Sequence, residues 1–451
     1  MPELTSLPVE ILHSVFAHAD QDSRKSLRLA NRHLAEIGQQ CVFQTIAVQF
    51  KFRQENHVNE IENILKRKDL VSHIAKIYVN TFDLQEDQEW MDEGDTQKLL
   101  EILVGYLKKL PRLQSVVLRF HPECPDEHDR FGDVPQDEDL RTAVMKKALS
   151  TLAAFPQLKE LALRDLWNVH DSDPKVTADL YKVLARLRSL RLNIINVNQG
   201  MSGSSDYHRE APLKFWPDLP SLWLKPALSG LQHLTLYSSI YVGFFPKCDF
   251  RDLHFPQLKT VAFGNHTFVH DSQLDWILSH GETLEELYLD DCAIVFEAAV
   301  YIDPSYGERT WEQTLLSPES FAPHPHLPER KAYASYSTRW ADYFRAFKDK
   351  LPHLRHFRYG HAQNWWEDDS MPFESEMQIE IGFHRESYLV FCDGYLPSEY
   401  RESMLWDVPT EDDKEDHRQG ERLSPSEEDK AALEELCMKF GQKIALELDD
   451  Y

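Results

Sequence analysis

The 451-residue sequence predicts an α/β protein: a short helical unit at the N-terminus, then an irregular solenoid of right-handed helix–strand repeats. Three observations carry that expectation. A string of the form L-x-x-L-x-L recurs seven times, and amphipathic segments of helical period precede several of those strings. Residues 4–38 place apolar side chains at helical spacing in a piece of chain too short to bury them by itself.

The strings begin at Leu113, Leu158, Leu187, Leu231, Leu258, Leu284 and Leu354. In each, the first leucine belongs under a turn, and the alternating pair that follows points inward from a short strand. Stacked units then share a core that no unit can bury alone. Leu158 and Leu187 stand 29 residues apart, Leu231 and Leu258 27, Leu258 and Leu284 26. These spacings are close to the ~20–29 period of leucine-rich repeats. Longer gaps, up to the 70 residues from Leu284 to Leu354, imply insertions. A Leu-Pro or Phe-Pro pair opens "LPRL", "FPQL" (twice) and "LPHL". Helices are expected over 95–110, 140–155 and 176–187. An ordinary α/β domain is the alternative.

At the N-terminus, Pro8 suits the first turn of a helix that carries Ile11, Leu12, Val15 and Phe16. Residues Asp20 to Ser23 supply cap chemistry for a second helix with Leu27, Ala30, Leu34 and Ile37 on one side, and Gly38 offers a stop. "LPVEILHSVF" followed by "SLRLANRHLAEI" resembles the F-box, the adaptor-binding motif of the Skp–cullin–F-box ubiquitin ligases. The resemblance implies that Leu7, Pro8, Ile11, Leu12, Val15, Phe16, Leu27, Leu29, Arg32 and Leu34 bind a Skp-type adaptor and, through it, a cullin. It also implies that the repeats hold a protein substrate, its identity and binding residues unknown, while the chain supplies no catalytic residue. "RWADYFRAFKDKLPHLRHFRYG" and "YLVFCDGYLPSEY" resemble the ending of fungal F-box proteins with degenerate leucine-rich repeats. The alternative is a leucine-rich-repeat interaction scaffold whose N-terminal helices only cap the solenoid.

The expected organisation is an adaptor-binding module over 1–50 and a solenoid over 51–405, with loops at 120–139, 198–220 and 303–330. An acidic linker over 406–428 and a helix over 429–451, capped by Ser424 or Ser426, complete it. A net charge of −26 argues against a nucleic-acid partner, and no apolar run approaches the length that spans a membrane. Six scattered cysteines without a CxxC and the missing leader pattern fit reduced thiols in cytoplasm or nucleus. The sequon at Asn265-His266-Thr267 is then incidental.

No phosphate loop, dinucleotide fingerprint, nucleophile elbow or H-E-x-x-H motif is present. The group His121, Cys124 and His128 lacks the donors of a zinc site and reads as a solvated loop, as do His324 and His326. Cys292, with His280 nearby in sequence, reads as a buried turn residue rather than a nucleophile. The acids Asp290-Asp291, Glu367-Asp368-Asp369 and Glu411-Asp412-Asp413 read as solvated faces. Trp340, Trp365 and Trp366 fit either a core or an exposed recognition surface. No metal or cofactor is expected.

Overall fold

The computed structural model describes residues 7–49, 62–82, 93–122, 136–196, 210–302, 313–323, 331–362, 378–393, 399–409, 415–420 and 422–444. Their contacts form two compact units. One lies within Met1–Glu123, Val134–Arg164 and Pro174–Arg186, the other within Asp165–Asp173 and Leu187–Tyr451. Each is a mixed α/β unit with helices and largely parallel strands. The residues His324, His326, Cys124, His128, Trp365, Trp366, Glu367–Asp369 and Glu411–Asp413 lie outside the described residues.

The first unit opens with three helices, α1 (Val9–His18), α2 (Gln21–Ala30) and α3 (Arg32–Phe43). Four strands follow: β1 (Thr45–Gln49), β2 (Lys76–Asn80), β3 (Ser115–Arg119) and β4 (Glu160–Trp167), of which Glu160–Arg164 belongs to this unit. They pair in parallel, with Thr45 opposite Lys76, Lys76 opposite Ser115 and Ser115 opposite Glu160. All of β3 is buried, the unbroken pattern of a strand covered on both faces. Helices at Glu93–Lys108, Glu138–Leu152 and Pro174–Leu184 lie two or three residues earlier than the sequence expectation. The acidic loop expected over 120–139 ends sooner too. Gln136 is buried against Thr81, and Asp137 caps the helix by accepting the Leu140 N–H at 2.8 Å.

In the second unit the strands are β5 (Ser189–Ile195), β6 (His233–Val242), β7 (Thr260–Phe268), β8 (Glu286–Asp290), β9 (Ala293–Tyr301), β10 (Lys331–Ser335) and β11 (His356–His361). Then come β12 (Glu380–Ile381), β13 (Tyr388–Cys392) and β14 (Glu399–Arg401). The row β5-β6-β7-β8-β11 is parallel, and β12 adds to β11 in antiparallel fashion. β9 pairs in parallel with the end of β7 and with β13, and antiparallel with β10. Helices Asp271–Leu278, Trp340–Lys350 and Glu427–Lys439 pack in this unit.

One backbone device repeats through both units. The carbonyl just before a strand accepts two consecutive N–H groups from the start of the next strand. Gln44, Ala75 and Gln114 do this in the first unit, and Arg188, Gln232, Lys259 and Glu285 in the second, at 2.7–3.2 Å. The first leucine of every string is buried, from 0% exposure at Leu113 to 3% at Leu354. A left-handed residue stands seven positions after three of those leucines: Asp165 (φ 57°), Asn265 (φ 55°) and Asp291 (φ 49°). Asp and Asn tolerate that conformation better than other side chains.

Several boundaries differ from expectation. The single second helix read near the N-terminus is two, because Asn31 is extended and its Oδ1 caps α3 by accepting the His33 N–H at 2.7 Å. Gly38 is therefore no stop but a buried residue inside α3. Within the expected linker, Leu405–Pro409 pairs antiparallel with Glu415–Gln419. Loops expected over 198–220 and 303–330 include the helix Glu210–Leu219 and a bridge from Ala322 to Tyr333. The final helix runs from Glu427 to Lys439, capped by Ser426.

Candidate functional site

The N-terminal helices divide the ten sequence-predicted docking residues into two sets. Leu12, Phe16 and Leu34, together with Ile37, form the module's own core, and Leu7, Leu27 and Cys41 pack against it half-buried. Pro8, Ile11, Leu29 and Arg32 are exposed, and Val15 is half-buried. The three core residues thus hold helices together and offer little area to a partner, whereas the exposed set is free to make contact.

Local chemistry explains the arrangement. The Pro8 carbonyl starts α1 by accepting the Ile11 and Leu12 N–H groups at 3.0 and 3.1 Å. Pro8, Ile11 and Val15 then recur at i, i+3 and i+7, one stripe of the helix, beside the stripe of Leu12 and Phe16. Asp20 caps α2 by accepting the Ser23 N–H at 2.8 Å. Arg24 pins α2 to the end of α1, donating to the Phe16 and Ala17 carbonyls at 2.7 and 2.8 Å. Gly38 allows close approach: a Cβ there would lie 2.4 Å from a Phe16 ring carbon.

Exposure at this module stands out. Among the described residues six large apolar side chains are exposed, and Val9 (44%), Ile11 (49%) and Leu29 (82%) all belong to α1 and α2. Sequence reasoning missed Val9, because the helical wheel assigns it no face until the core residues are known. Lys25 and Arg32 are also exposed here, as are Glu10, Asp20 and Glu36, and Arg32 pairs with Glu36 at 3.2 Å.

The other chemistry-bearing residues are structural or unexpected. His121 is not a solvated loop residue. Burial, with Arg141 and Arg119 nearby, lowers its pKa to about 4, and its ring meets Phe82 edge-on at 4.9 Å. Cys292 is buried with its thiol pushed up, and Sγ reaches the Phe263 and Asp290 carbonyls at 3.5 Å. His280 accepts the Phe255 N–H at 3.1 Å and donates to the Trp276 carbonyl at 2.9 Å, so both nitrogens are committed. Trp340 is wholly buried, its indole N–H donated to the Ser387 carbonyl at 2.8 Å, and belongs to the core. The pair Asp290-Asp291, expected as a solvated face, is buried (1% and 9% exposed), and burial together with Asp291 raises the Asp290 pKa well above the carboxylate range. Asn265 of the sequon is buried in β7, donating to the Ser238 carbonyl at 2.8 Å. No helix among the described residues is long and apolar enough to cross a membrane.

No family model and no curated protein matches the chain. Among solved structures, it is similar to the one described as the crystal structure of Rad7 and Elc1 complex in yeast. That match has 12% identity and a TM-score of 0.27, covering 78% of this chain and 81% of that one. It is also similar to a D-tagatose 3-epimerase-like protein at 10% identity and a TM-score of 0.18, covering 57% of this chain and 84% of that one. At such TM-scores neither likeness carries an argument about function.

Proposed function

We propose that the chain is a substrate-recognition subunit of a Skp–cullin–F-box type ubiquitin ligase. In this reading the helices α1–α3 are the F-box, and the helix–strand units behind them are degenerate leucine-rich repeats that bind a protein substrate. The reading rests on one observation above all: large aliphatic side chains of α1 and α2 stay in water although the module has a core of its own. Burying an Ile or Leu side chain contributes roughly 1.5–3 kcal/mol, so a complementary apolar surface gains by covering them. Pro8, Val9, Ile11, Val15 and Leu29 make that contact, with Arg32 at its rim, while Leu12, Phe16 and Leu34 shape the face from beneath. Catalysis by this chain is then proximity alone. It holds a substrate where a separate conjugating enzyme delivers ubiquitin.

A second reading has its own support. The end of α3 leads straight into β1, and the Gln44 carbonyl between them accepts the Ala75 and Lys76 N–H groups at 2.9 and 3.0 Å. A scaffold whose first helices merely cap the sheet has the same continuity. Co-expression of the full chain with the Skp-type adaptor of its organism separates the two. Stoichiometric capture, lost in Ile11→Asp and Leu29→Asp while the circular dichroism and thermal midpoint stay as in the wild type, supports the ligase subunit. A folded full chain that captures no adaptor refutes it and leaves the scaffold.

A further inference from the structure

The second unit holds a cluster that adaptor docking does not use. Asp290 ends β8 and Asp291 follows it. His361 ends β11, the parallel neighbour in which Gly360 stands opposite Asp290. All three therefore lie at the carboxyl ends of adjacent parallel strands, where open α/β sheets place ligand sites. A carboxylate oxygen from each Asp and a ring nitrogen of His361 lie within 4.8 Å of one another.

The geometry holds these groups together for a reason the protein chain alone does not satisfy. Asp290 is 1% exposed, and its Oδ1 accepts the Ala362 N–H at 2.8 Å. The Tyr237 hydroxyl donates to the same carboxylate, yet Oδ2 is buried and has no partner. Buried polar atoms are seldom left so, because the lost hydration is not replaced. Asp291 takes its left-handed turn with its N–H bonded to the Gly360 carbonyl at 2.8 Å, and its carboxylate meets His361 Nδ1 at 2.8 and 3.0 Å. The His384 ring, which bonds the Cys292 backbone and feels Asp291 and His361 electrostatically, has a buried Nε2 without a partner. The charged groups that face His361 are Asp291, Asp290 and Glu380, all acidic. Asp291 is thus paired with His361, while Asp290 keeps a buried oxygen that no protein group meets.

We propose that Asp290, Asp291 and His361 bind a divalent transition-metal cation, of the class of Zn²⁺ or Mn²⁺, that ties β8 to β11. Two carboxylates and an imidazole suit these ions in donor type, and a cation bound there takes the place of the protons on Asp290 and His361. Such an ion holds its donors roughly 3 Å apart, which needs only small side-chain rotations here. The side chain of His361 is 28% exposed and that of Asp291 12%, giving the ion a route in and a coordination position open to water. The role is structural: the two strands are joined across the longest insertion, His361 standing 70 positions after Asp291. This inference is independent of the ligase reading.

The test uses the full chain, stripped with a chelator and titrated with Zn²⁺ against a chromophoric competitor, with thermal unfolding in parallel. The expected result is one tightly bound ion per chain, removed by Asp290→Asn and weakened at least tenfold by His361→Gln. At a hundredfold excess over Kd, a bound ion multiplies the folded-to-unfolded ratio by about 100. The thermal midpoint of the wild type therefore rises with Zn²⁺, and that of the variants does not. A wild-type midpoint that ignores Zn²⁺ and Mn²⁺, or a Zn²⁺ response that both variants retain, overturns the proposal. His361→Gln changes a partly exposed side chain, so it serves should Asp290→Asn fail to fold.

Discussion

Replacing Gly38 by Ala sets two effects of known size against each other. Within a helix the extra methyl contributes roughly 1 kcal/mol, because Gly is the poorer helix former. Against this, the new Cβ would lie 2.4 and 2.5 Å from Phe16 Cε1 and Cζ, far inside contact distance. The Phe16 ring has nowhere to go, being 1% exposed and enclosed by Leu12, Leu34 and Ile37. Overpacking of this kind costs about 1–3 kcal/mol, so the net effect is a destabilisation of about 1 kcal/mol. That amount raises the open population of the module about fivefold. Hydrogen exchange of the α3 amides, read in the full chain, should quicken by that factor while exchange in β5–β8 is unchanged. Shortening the ring with Phe16→Leu in the Gly38→Ala background should give a double variant less destabilised than the sum of the singles. Slower exchange in Gly38→Ala, or strict additivity in the double variant, would refute the packing argument.

Other outcomes follow from the same structure. Phe16→Ala should cost about 3–5 kcal/mol by opening the module core, whereas Ile11→Asp at an exposed site should stay within about 0.5 kcal/mol of wild type. Chemical denaturation of both variants checks the division of the docking residues. Asp429→Ala should destabilise the second unit by about 3 kcal/mol, since it leaves the Ala341 N–H without the acceptor it has at 2.8 Å and removes the cap at Ser426. Acid should loosen the protein before its carboxylates titrate. Burial lowers the pKa of His280 to about 4 and of His266 to about 3, both from 6.5. The unfolded chain therefore takes up protons first, and the stability present above pH 6.5 is lost as pH falls toward 4. The thermal midpoint should drop over that window, and a flat profile between pH 6.5 and 5 counts against it. In a Cys124→Ser background, a thiol reagent should modify the half-buried Cys41 and spare Cys248 and Cys292, which are fully buried with raised pKa values.

The parallel strands β3–β8 and β11 were legible in the sequence because their inward residues obey a strict local spacing, whereas β1, β2 and β9 carry no such string. The helix starts were nearly so, offset because caps such as Asp137 sit inside stretches that read as acidic loop. The break at Asn31 carries a weaker signal, since an Asn in the middle of an apolar helical period resembles a solvent-facing position. Asp290-Asp291 misled for a different reason. Adjacent acids normally mark a surface, and only the strand pairing that sets Gly360 beside Asp290 makes the place an interior. Nor was the split of the docking residues visible. Leu12 and Ile11 have the same chemistry, and their burial differs because α3 covers one side of α1 and leaves the other.

The doubled acceptor at the foot of seven strands bears on how the chain tolerates change. The residues whose carbonyls perform it are Gln44, Ala75, Gln114, Arg188, Gln232, Lys259 and Glu285, of five different chemical types. Alignment between neighbouring strands is thus written in the main chain, one step at a time, and asks nothing of the side chain at that position. Each step is also local, so a surface segment of any length can be spliced between two steps without displacing what lies beyond it. Between Leu284 and Leu354, 70 positions apart, the chain adds β9, β10 and the helix Trp340–Lys350 after β8 before the row resumes. After these, Arg355 and His356 return to the Glu285 carbonyl at 2.7 and 3.2 Å, in register with the strand before the interruption.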